Sequence, residues 1–263
     1  MKFAAVASTL LLAGSALAAP NTAKRQEAHR RRAEGKTSKP VQYVKDENGN
    51  IKTGVNNNTF VSYSTNWAGA VLVGTGYTAV TAEFTVPTPS TAGSGASWVG
   101  IDGDTCGTAI LQTGIDWTKS GSSVTYDAWY EWYPDYSYDF SGITLAAGDT
   151  IKATVKATSK TAGTATVENV TTGKTVTHTF SGEGSEGDLC EYNAEWIVEA
   201  YEENGSQVSL ANFGSETFSS ASATKSGTSV GPSGATIIDM QTSSGTTVVT
   251  CSDSSSSVKC TYV

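Results

Sequence analysis

Short runs in which polar and apolar residues alternate dominate the chain after residue 60. Val, Thr, Tyr and Trp are frequent in these runs, and Gly, Ser, Asp and Pro separate one run from the next. The pattern is typical of antiparallel β-strands, and no stretch has the periodicity of a helix. It predicts strands at 67–73, 77–86, 97–102, 108–115, 124–133, 150–158, 163–169, 173–180, 194–201, 217–224, 235–241, 246–251 and 257–262. Roughly 200 residues in so many strands favour an all-β fold, one sandwich of two large antiparallel sheets.

Residue parity predicts one sheet face that carries acids and aromatic rings, because side chains alternate between faces along a strand. On strand 194–201, Glu195 and Glu199 both point away from an apolar face. On strand 97–102, Trp98 and Asp102 share a face. On strand 108–115, Gln112 lies on one face of the strand and Leu111 on the other. On strand 124–133 the odd positions are Asp127, Trp129, Glu131 and Tyr133. Together these residues can line a groove, and parity does not choose between Glu195 and Glu199.

The first 18 residues have the layout of a cleavable secretion signal. Lys2 precedes an apolar run from Phe3 to Leu12, and the small residues Ala16 and Ala18 follow. This run is too short to be a membrane anchor, and nothing downstream approaches the roughly 20 apolar residues that a spanning helix needs. We therefore expect a secreted, extracellular protein that does not use a membrane as partner.

Charge divides the remaining chain into two parts. Residues 19–55 carry nine Lys or Arg against four acids, and Lys24-Arg25 and Arg30-Arg31-Arg32 are candidate processing sites. We interpret 19–55 as a basic propeptide, whose end falls between 55 and 62, and 56–263 as the mature domain.

The mature part is strongly acidic, with 7 Lys, no Arg and 21 Asp or Glu, a net charge of −14. Phosphate binding depends on Lys and Arg, so nucleic acid is excluded as a partner. An acidic medium suits this composition, since carboxyls with ordinary pKa values near about 4 repel one another less there.

Secretion favours disulfide bonds between the four cysteines, which allow three pairings. We prefer Cys106 with Cys190 and Cys251 with Cys260. The second pair closes a short hairpin, and the first removes roughly 4 kcal/mol of loop entropy from the unfolded chain. The spacings do not suit zinc, and the mature part has a single histidine, His178, so we expect no metal or cofactor. Sequons permit glycosylation at Asn57, Asn169 and Asn204.

Several familiar catalytic motifs do not fit this chain. The string GTSVG at 227–231 matches a serine-hydrolase elbow, but Pro232 follows it and His178 lies upstream instead of downstream. The Gly-rich string GEGSEG at 182–187 contains two carboxylates, which would repel a phosphate. No free thiol is expected, and the paired Asp-Thr/Ser-Gly loops of pepsin-like enzymes are absent. Chemistry by carboxyl and amide groups remains.

Four strings closely resemble the fungal glutamic peptidases, the eqolisin family. They are SWVGIDGDTC at 97–106, TAILQTG at 108–114, YDAWYEWYP at 126–134 and NAEWIVE at 193–199. The strings NWAG at 66–69 and CTYV at 260–263 are also similar, so the resemblance runs in order from about residue 64 to residue 263. It implies a sandwich of two seven-stranded antiparallel sheets, concanavalin-like, with one sheet bent into a substrate groove.

The resemblance also implies an acid endopeptidase with a Glu and Gln dyad. Carried over by motif, the Gln is Gln112 and the Glu is Glu195. Glu195 would accept a proton from the attacking water and return it to the leaving amine, while Gln112 would hold the water and stabilise the oxyanion. An amide does not titrate in acid, where a catalytic His would be protonated. Matched groove positions give the candidate substrate-binding residues: Trp67, Trp98, Asp102, Asp127, Glu131 and Tyr133.

The expected partners are protein or peptide substrates and the chain's own propeptide, which we expect to act as an inhibitor of a monomeric enzyme. A carbohydrate-binding or glycoside-hydrolysing sandwich is the alternative, because an aromatic groove with two carboxylates also suits sugars. In that case a second carboxylate, Glu131 or Asp102, would work with Glu195 in place of Gln112.

Overall fold

A computed structural model describes residues 35–56 and 59–263. The predicted signal, the first part of the predicted propeptide and the sequon at Asn57 lie outside the described residues. Within the described part, twenty strands and one short 3-10 helix, Glu183–Ser185, are present, and no helix there is long and apolar enough to cross a membrane. The strands are β1 (Lys36–Thr37), β2 (Thr53–Asn56), β3 (Thr59–Ser64), β4 (Trp67–Val73), β5 (Tyr77–Thr85), β6 (Gly93–Ile101), β7 (Ile110–Ser120), β8 (Ser123–Tyr133), β9 (Tyr138–Asp139), β10 (Thr150–Ser159), β11 (Ala162–Asn169), β12 (Lys174–Ser181), β13 (Asn193–Glu199), β14 (Glu202–Glu203), β15 (Ser206–Gln207), β16 (Ser215–Lys225), β17 (Thr228–Val230), β18 (Thr236–Gln241), β19 (Thr247–Asp253) and β20 (Val258–Tyr262).

All thirteen predicted strands are present, and the all-β sandwich is confirmed. The largest difference is in β7, which runs to Ser120, five residues beyond its predicted end. The strands that the pattern did not predict are β1, β2 and β3, in or beside the segment interpreted as propeptide, and four pieces of two or three residues.

The two sheets differ in role. One has the strand order β9-β8-β7-β6-β13-β4-β18-β3-β2 and carries the predicted groove face, and the other has the order β12-β11-β10-β5-β16-β17. Pairing is antiparallel except between β3 and β18, which are parallel. Strand β16 links the sheets. Its first residues, 215–218, pair with β20, which joins β18 of the first sheet through β19. From Ser219 onward, with an irregularity between Ser219 and Ser222, β16 pairs with β5 of the second sheet.

The main core lies between the sheets. The apolar face of β13 that parity predicted is buried there, including Ala194, Trp196 and Val198. Trp196 also donates its Nε1–H to the Thr81 carbonyl of β5, 3.1 Å away, so the ring bridges the two layers. Because this face of β13 is fixed in the core, its alternate residues must point into the groove.

Both predicted disulfide pairings, Cys106–Cys190 and Cys251–Cys260, are present. The first ties the loop after β6 to the loop before β13, 84 residues apart in sequence. These two loops flank the strands that carry Gly100 and Glu195, so this bond secures one end of the groove. The second joins β19 to β20 across a sequence separation of 9.

Candidate active site

A row of side chains crosses the groove at one register position. Glu195 on β13 pairs with Gly100 on β6, Gly100 pairs with Gln112 on β7, and Gln112 pairs with Glu131 on β8. Directly paired residues share a sheet face. Adjacent strands are about 4.8 Å apart, so the Glu195 and Gln112 backbones are separated by about 10 Å, a span that the two side chains can bridge.

Glycine at position 100 creates the space between Glu195 and Gln112. A Cβ at this residue would lie 3.3 Å from Gln112 Cβ, 3.3 Å from Glu195 Oε2 and 2.8 Å from Trp98 Cζ3. The two functional groups therefore face a common position that has no side chain of its own. Sequence reasoning did not single out this glycine, although it lies within the SWVGIDGDTC string.

The polar atoms at this position are buried and available. Glu195 and Gln112 are fully buried, and within the described part of the chain neither Glu195 oxygen nor Gln112 Oε1 has a hydrogen-bond partner. Gln112 Nε2 donates to the Ser38 carbonyl at 3.2 Å. Burial, together with the nearby carboxyls of Asp102 and Asp104, raises the pKa of Glu195 well above its ordinary value. A water molecule between these groups can donate one hydrogen to the Glu195 carboxylate, which can accept a proton, and the other to Gln112 Oε1.

Glu199 shares the face of Glu195 but has different surroundings. Its row neighbours on β6 and β7 are Ala96 and Asp116, with no amide among them. Trp98 donates its Nε1–H to Glu199 Oε2 at 2.8 Å, and burial raises the pKa of this carboxyl to about 8. The structure thus brings Gln112 opposite Glu195 and not opposite Glu199.

Asp102 holds the chain that leads into β13. Its two carboxylate oxygens accept the backbone N–H groups of residues 190–193 at 2.7–3.1 Å. Asp102 itself has a positive φ of 70°, in the left-handed region. Burial raises its pKa, and the four N–H donors oppose this shift. Because these bonds fix residues 190–193, which lead into β13, Asp102 positions Glu195 on that strand.

The other predicted groove residues lie on the same sheet face at different depths. Trp67 and Trp98 are fully buried and pack edge to face with their ring centroids 4.9 Å apart. Tyr133 packs partly buried beside them, and Asp127 is exposed at the edge of the face, opposite Asp116. Glu131 is buried, and its pKa is raised by burial.

The chain segment 35–43, part of the propeptide that was predicted to act as an inhibitor, crosses the groove; sequence reasoning did not identify which propeptide residues contact the site. Lys36 and Thr37 pair with β14, Val41 N–H donates to the Gly103 carbonyl at 3.1 Å, and the Tyr43 hydroxyl donates to Asp104 at 2.8 Å. We call residues 35–43 the strap. It covers the apolar part of the groove face with Val41 and Tyr43.

Ion pairs join the strap to acids that were not among the predicted site residues. Lys36 Nζ lies 2.9 Å from Asp116 Oδ2, and Lys39 Nζ lies 2.7 Å from Glu202 Oε2. Burial raises the pKa of Asp116 to about 7, although Lys36 opposes the shift. A signal for Asp116 was present in the sequence, because it has the parity of Gln112 on the same strand.

The fold and the site together define an all-β peptidase, in which a buried carboxyl and a buried amide meet beneath an extended peptide segment. Comparisons with known proteins agree. A model of the peptidase A4 family matches residues 65–262. Aspergillopepsin-2 of Aspergillus niger is 51% identical over 285 residues, and Scytalidopepsin B of Scytalidium lignicola is 44% identical over 277 residues, each covering 100% of both chains.

Among solved structures, scytalido-glutamic peptidase with a transition-state analogue inhibitor aligns with a TM-score of 0.70 and 48% identity, covering 76% of this chain and 98% of that one. The chain therefore belongs to the peptidase A4 family, and it is a glutamic endopeptidase, a hydrolase of peptide bonds.

Proposed function

We propose that this protein is a secreted endopeptidase that works in acid through Glu195 and Gln112. The observation that carries the proposal is the row in which these two residues flank Gly100, with three buried oxygens facing the shared position without partners in the described part of the chain. The likeness to a peptidase structure that holds a transition-state analogue supports peptides as substrates.

The two side chains divide the chemistry. Glu195 takes a proton from the attacking water and later delivers one to the leaving nitrogen, a role worth about 10² to 10⁴ in rate. Gln112 accepts a hydrogen bond from the water with Oε1 and donates Nε2–H to the developing oxyanion, worth about 10² to 10³. Burial is the largest cause of the raised pKa of Glu195, so departure of the strap and access of solvent bring this pKa down and make the carboxylate available in acid.

Gln112→Ala and Glu195→Gln test the dyad. Each variant should lose at least about a hundredfold in hydrolysis of an acid-denatured protein at pH 3 to 4, with an unchanged circular dichroism spectrum. Gln241→Ala is the matched control, because Gln241 is also a buried glutamine but lies on β18 and bonds Lys52 and Thr247. Full activity of either dyad variant would refute the proposal.

The carbohydrate alternative has less support from the geometry. It needs a second carboxylate free to act, but Asp102 is engaged by four backbone N–H groups and Glu131 accepts the Ser38 N–H. If this alternative held, Gln112→Ala would be mild and Glu131→Gln would abolish activity on a glycoside.

We further propose that residues 19–55 form a propeptide that inhibits the enzyme until acid releases it. The pairs Lys36–Asp116 and Lys39–Glu202 support this, because they join a basic segment to a strongly acidic domain whose negative charge falls in acid. Val55 and Phe60, on either side of the expected boundary, are 62% and 83% exposed and open to processing. The solved scytalido-glutamic peptidase, covered over 98% of its length, accounts for 76% of this chain, which also supports removal of an N-terminal part.

A separate peptide with the sequence of residues 19–55, added to the processed enzyme, tests the inhibition. It should inhibit the processed enzyme at pH 6 and not at pH 3. A peptide with Lys36 and Lys39 both changed to Ala is the control and should inhibit weakly at both values. Equal inhibition by the unchanged peptide at pH 6 and pH 3 would count against an electrostatic release.

A further inference from the structure

The strap shows how far the groove continues beyond the dyad. The Ser38 carbonyl accepts the Gln112 Nε2–H at 3.2 Å. The carbonyl that an oxyanion donor contacts is the one that reacts, so Ser38 marks the place of the residue on the N-terminal side of a bond to be cleaved. The strap residues after Ser38 therefore occupy the part of the groove that receives the C-terminal side of a substrate.

The side chain of Asn66 binds main-chain groups in this part of the groove. Asn66 Nδ2 donates to the carbonyls of Lys39 and Pro40 at 3.4 and 3.2 Å. Asn66 Oδ1 accepts the Gln42 N–H at 2.8 Å. A substrate can form the same bonds with little regard to its sequence, because they involve main-chain atoms. Asn66 lies after the expected end of the propeptide, so it stays with the processed enzyme.

Residues 63–65 continue this binding as a strand edge. The Thr65 N–H donates to the Gln42 carbonyl at 2.9 Å, and the Val44 N–H donates to the Tyr63 carbonyl at 2.7 Å. Addition of a strand to an exposed edge is a common way to bind an extended peptide. The groove therefore holds a peptide for at least five residues beyond the carbonyl at Gln112.

One side-chain contact in this part depends on the sequence of the bound peptide. The hydroxyl of Tyr43, five residues after Ser38, donates to Asp104 Oδ1 at 2.8 Å. The Tyr43 ring packs, partly buried, against the apolar groove cluster that includes Trp67 and Ile110. A tyrosine suits such a site, because its ring is apolar and its tip donates a hydrogen bond.

The loop that carries Asp104 is fixed by bonds that do not involve the strap. Thr105 donates its N–H to Asn193 Oδ1 at 2.9 Å, and Cys106 forms the disulfide bond to Cys190. Both partners belong to β13 or to the loop directly before it. Asp104 should therefore keep its position when the strap leaves, and a preformed site costs less to bind than one that must be ordered.

The ionisation of Asp104 favours a hydroxyl over a cation in acid. Burial raises the pKa of Asp104, and the Tyr43 hydrogen bond opposes this shift. The charges of Asp102 and Asp104 raise the pKa of Glu195, so an ionised Glu195 in turn disfavours an ionised Asp104. A hydroxyl can donate to a carboxyl in either state, whereas attraction of a basic side chain needs the carboxylate.

We propose that Asp104 makes the groove selective for peptides with Tyr five residues after the bond that is cleaved. This inference rests on the proposed Glu195 and Gln112 chemistry and on removal of the strap. The main-chain bonds to Asn66 and residues 63–65 hold the peptide in register, and Asp104 binds the side chain at the fifth position. Phe at this position keeps the ring contacts but gives Asp104 no donor, so it should bind less tightly.

Peptides that the processed enzyme cuts at a single bond test the proposal. A fluorogenic host peptide is extended by six residues beyond that bond, the cut is located by mass spectrometry, and the fifth residue is Tyr, Phe or Lys. At pH 3.5, kcat/KM for the Tyr peptide should exceed that for the Phe peptide about three- to tenfold, mainly through KM, because one hydrogen bond is lost. The Lys peptide should rank below the Tyr peptide at this pH.

A cycle of enzyme and substrate changes assigns the preference to Asp104. In Asp104→Ala the kcat/KM values of the Tyr and Phe peptides should agree within about twofold, since the partner of the hydroxyl is gone. Loss of a charge near Glu195 can change both values, but their ratio cancels this common effect. Asp188→Ala, which removes an exposed acid outside these contacts, should keep the ratio of the unchanged enzyme.

The outcomes that overturn this inference differ from the outcome that refutes the proposed function. Equal kcat/KM for the Tyr and Phe peptides, a ratio that survives Asp104→Ala, or faster cleavage of the Lys peptide than of the Tyr peptide at pH 3.5 would each overturn the selectivity assigned to Asp104. Hydrolysis of none of the peptides by a folded, processed enzyme would refute the proposed function itself.

Discussion

Substitution of Gly100 by Ala should lower catalysis while leaving most molecules folded. The new Cβ would lie 2.8 Å from Trp98 Cζ3, so this ring atom would have to move by about 0.6 Å to reach an ordinary contact of 3.4 Å. The ring has little freedom, because it is fully buried, packs against Trp67 and donates to Glu199 at 2.8 Å. The strain must then pass to Gln112 and Glu195, whose contacts to the new Cβ, at 3.3 Å, are also tight.

The size of the effect follows from that displacement. A misplacement of about 1 Å can cost roughly 10²-fold in rate, so a shift of half that size or more should lower kcat/KM by about 10- to 100-fold. This is about 1.4 to 2.7 kcal/mol of transition-state stabilisation. Overpacking of a buried site costs about 1 to 3 kcal/mol of stability, so most molecules should still fold.

Steady-state hydrolysis of a fluorogenic peptide at pH 3 to 4, together with urea unfolding, measures both effects. Gly107→Ala is the matched control, since a Cβ there would meet nothing closer than 3.7 Å. A folded Gly100→Ala enzyme with kcat/KM within twofold of the unchanged protein would refute the role assigned to the gap between Gln112 and Glu195.

Three further predictions follow from buried or exposed polar groups. Burial raises the pKa of Glu216 to about 8, so its carboxyl stays protonated in the fold while the unfolded chain ionises above about 4.5, and this group lowers stability by about 1.4 kcal/mol per pH unit between these values. Glu216→Gln should make the fall of urea-measured stability with pH shallower by that amount, and an unchanged slope would contradict this. Asp102→Asn keeps one acceptor oxygen for four backbone N–H donors and should lower stability by about 1 to 3 kcal/mol. Because these bonds position Glu195, the variant should lower kcat more than it raises KM. A change in KM alone would instead favour the direct substrate contact that the sequence predicted for Asp102. Asn169 is fully buried, and its Nδ2 donates to Thr144 and Asp149, so mass spectrometry of the secreted protein should find glycan at exposed Asn204 and none at Asn169.

The strand pattern predicted the fold because residue parity decides which side chains of each strand face the core between the sheets. Strand β13 shows why: alternate residues from Ala194 to Val198 enter the core, so the intervening residues had to face the groove. The short strands β14 and β17 gave no such signal, since two or three residues cannot show a period. β17 pairs with β16 directly before it, and β14 pairs with β15 directly after it and with the distant β1.

The contacts between the strap and the groove could not be predicted residue by residue from sequence. The strap's basic residues suggested attraction to an acidic domain, but the bond of Ser38 to Gln112 depends on contacts between residues 74 positions apart. The same limit applied to Asp102, which the family strings suggested as a substrate contact. Its four bonds to the backbone of residues 190–193 arise only when β6 and β13 become neighbours.

Choosing between Glu195 and Glu199 required register, which parity does not contain. Both carboxyls are buried on one face, and burial raises the pKa of both. They differ in what the adjacent strands place opposite them: Glu195 meets a glycine and then an amide, whereas Glu199 meets Ala96 and then Asp116. A carboxyl next to a neutral amide can share one water with it, but two neighbouring carboxyls repel when both are charged. The glycine between the carboxyl and the amide is therefore as much a part of the site as either functional group.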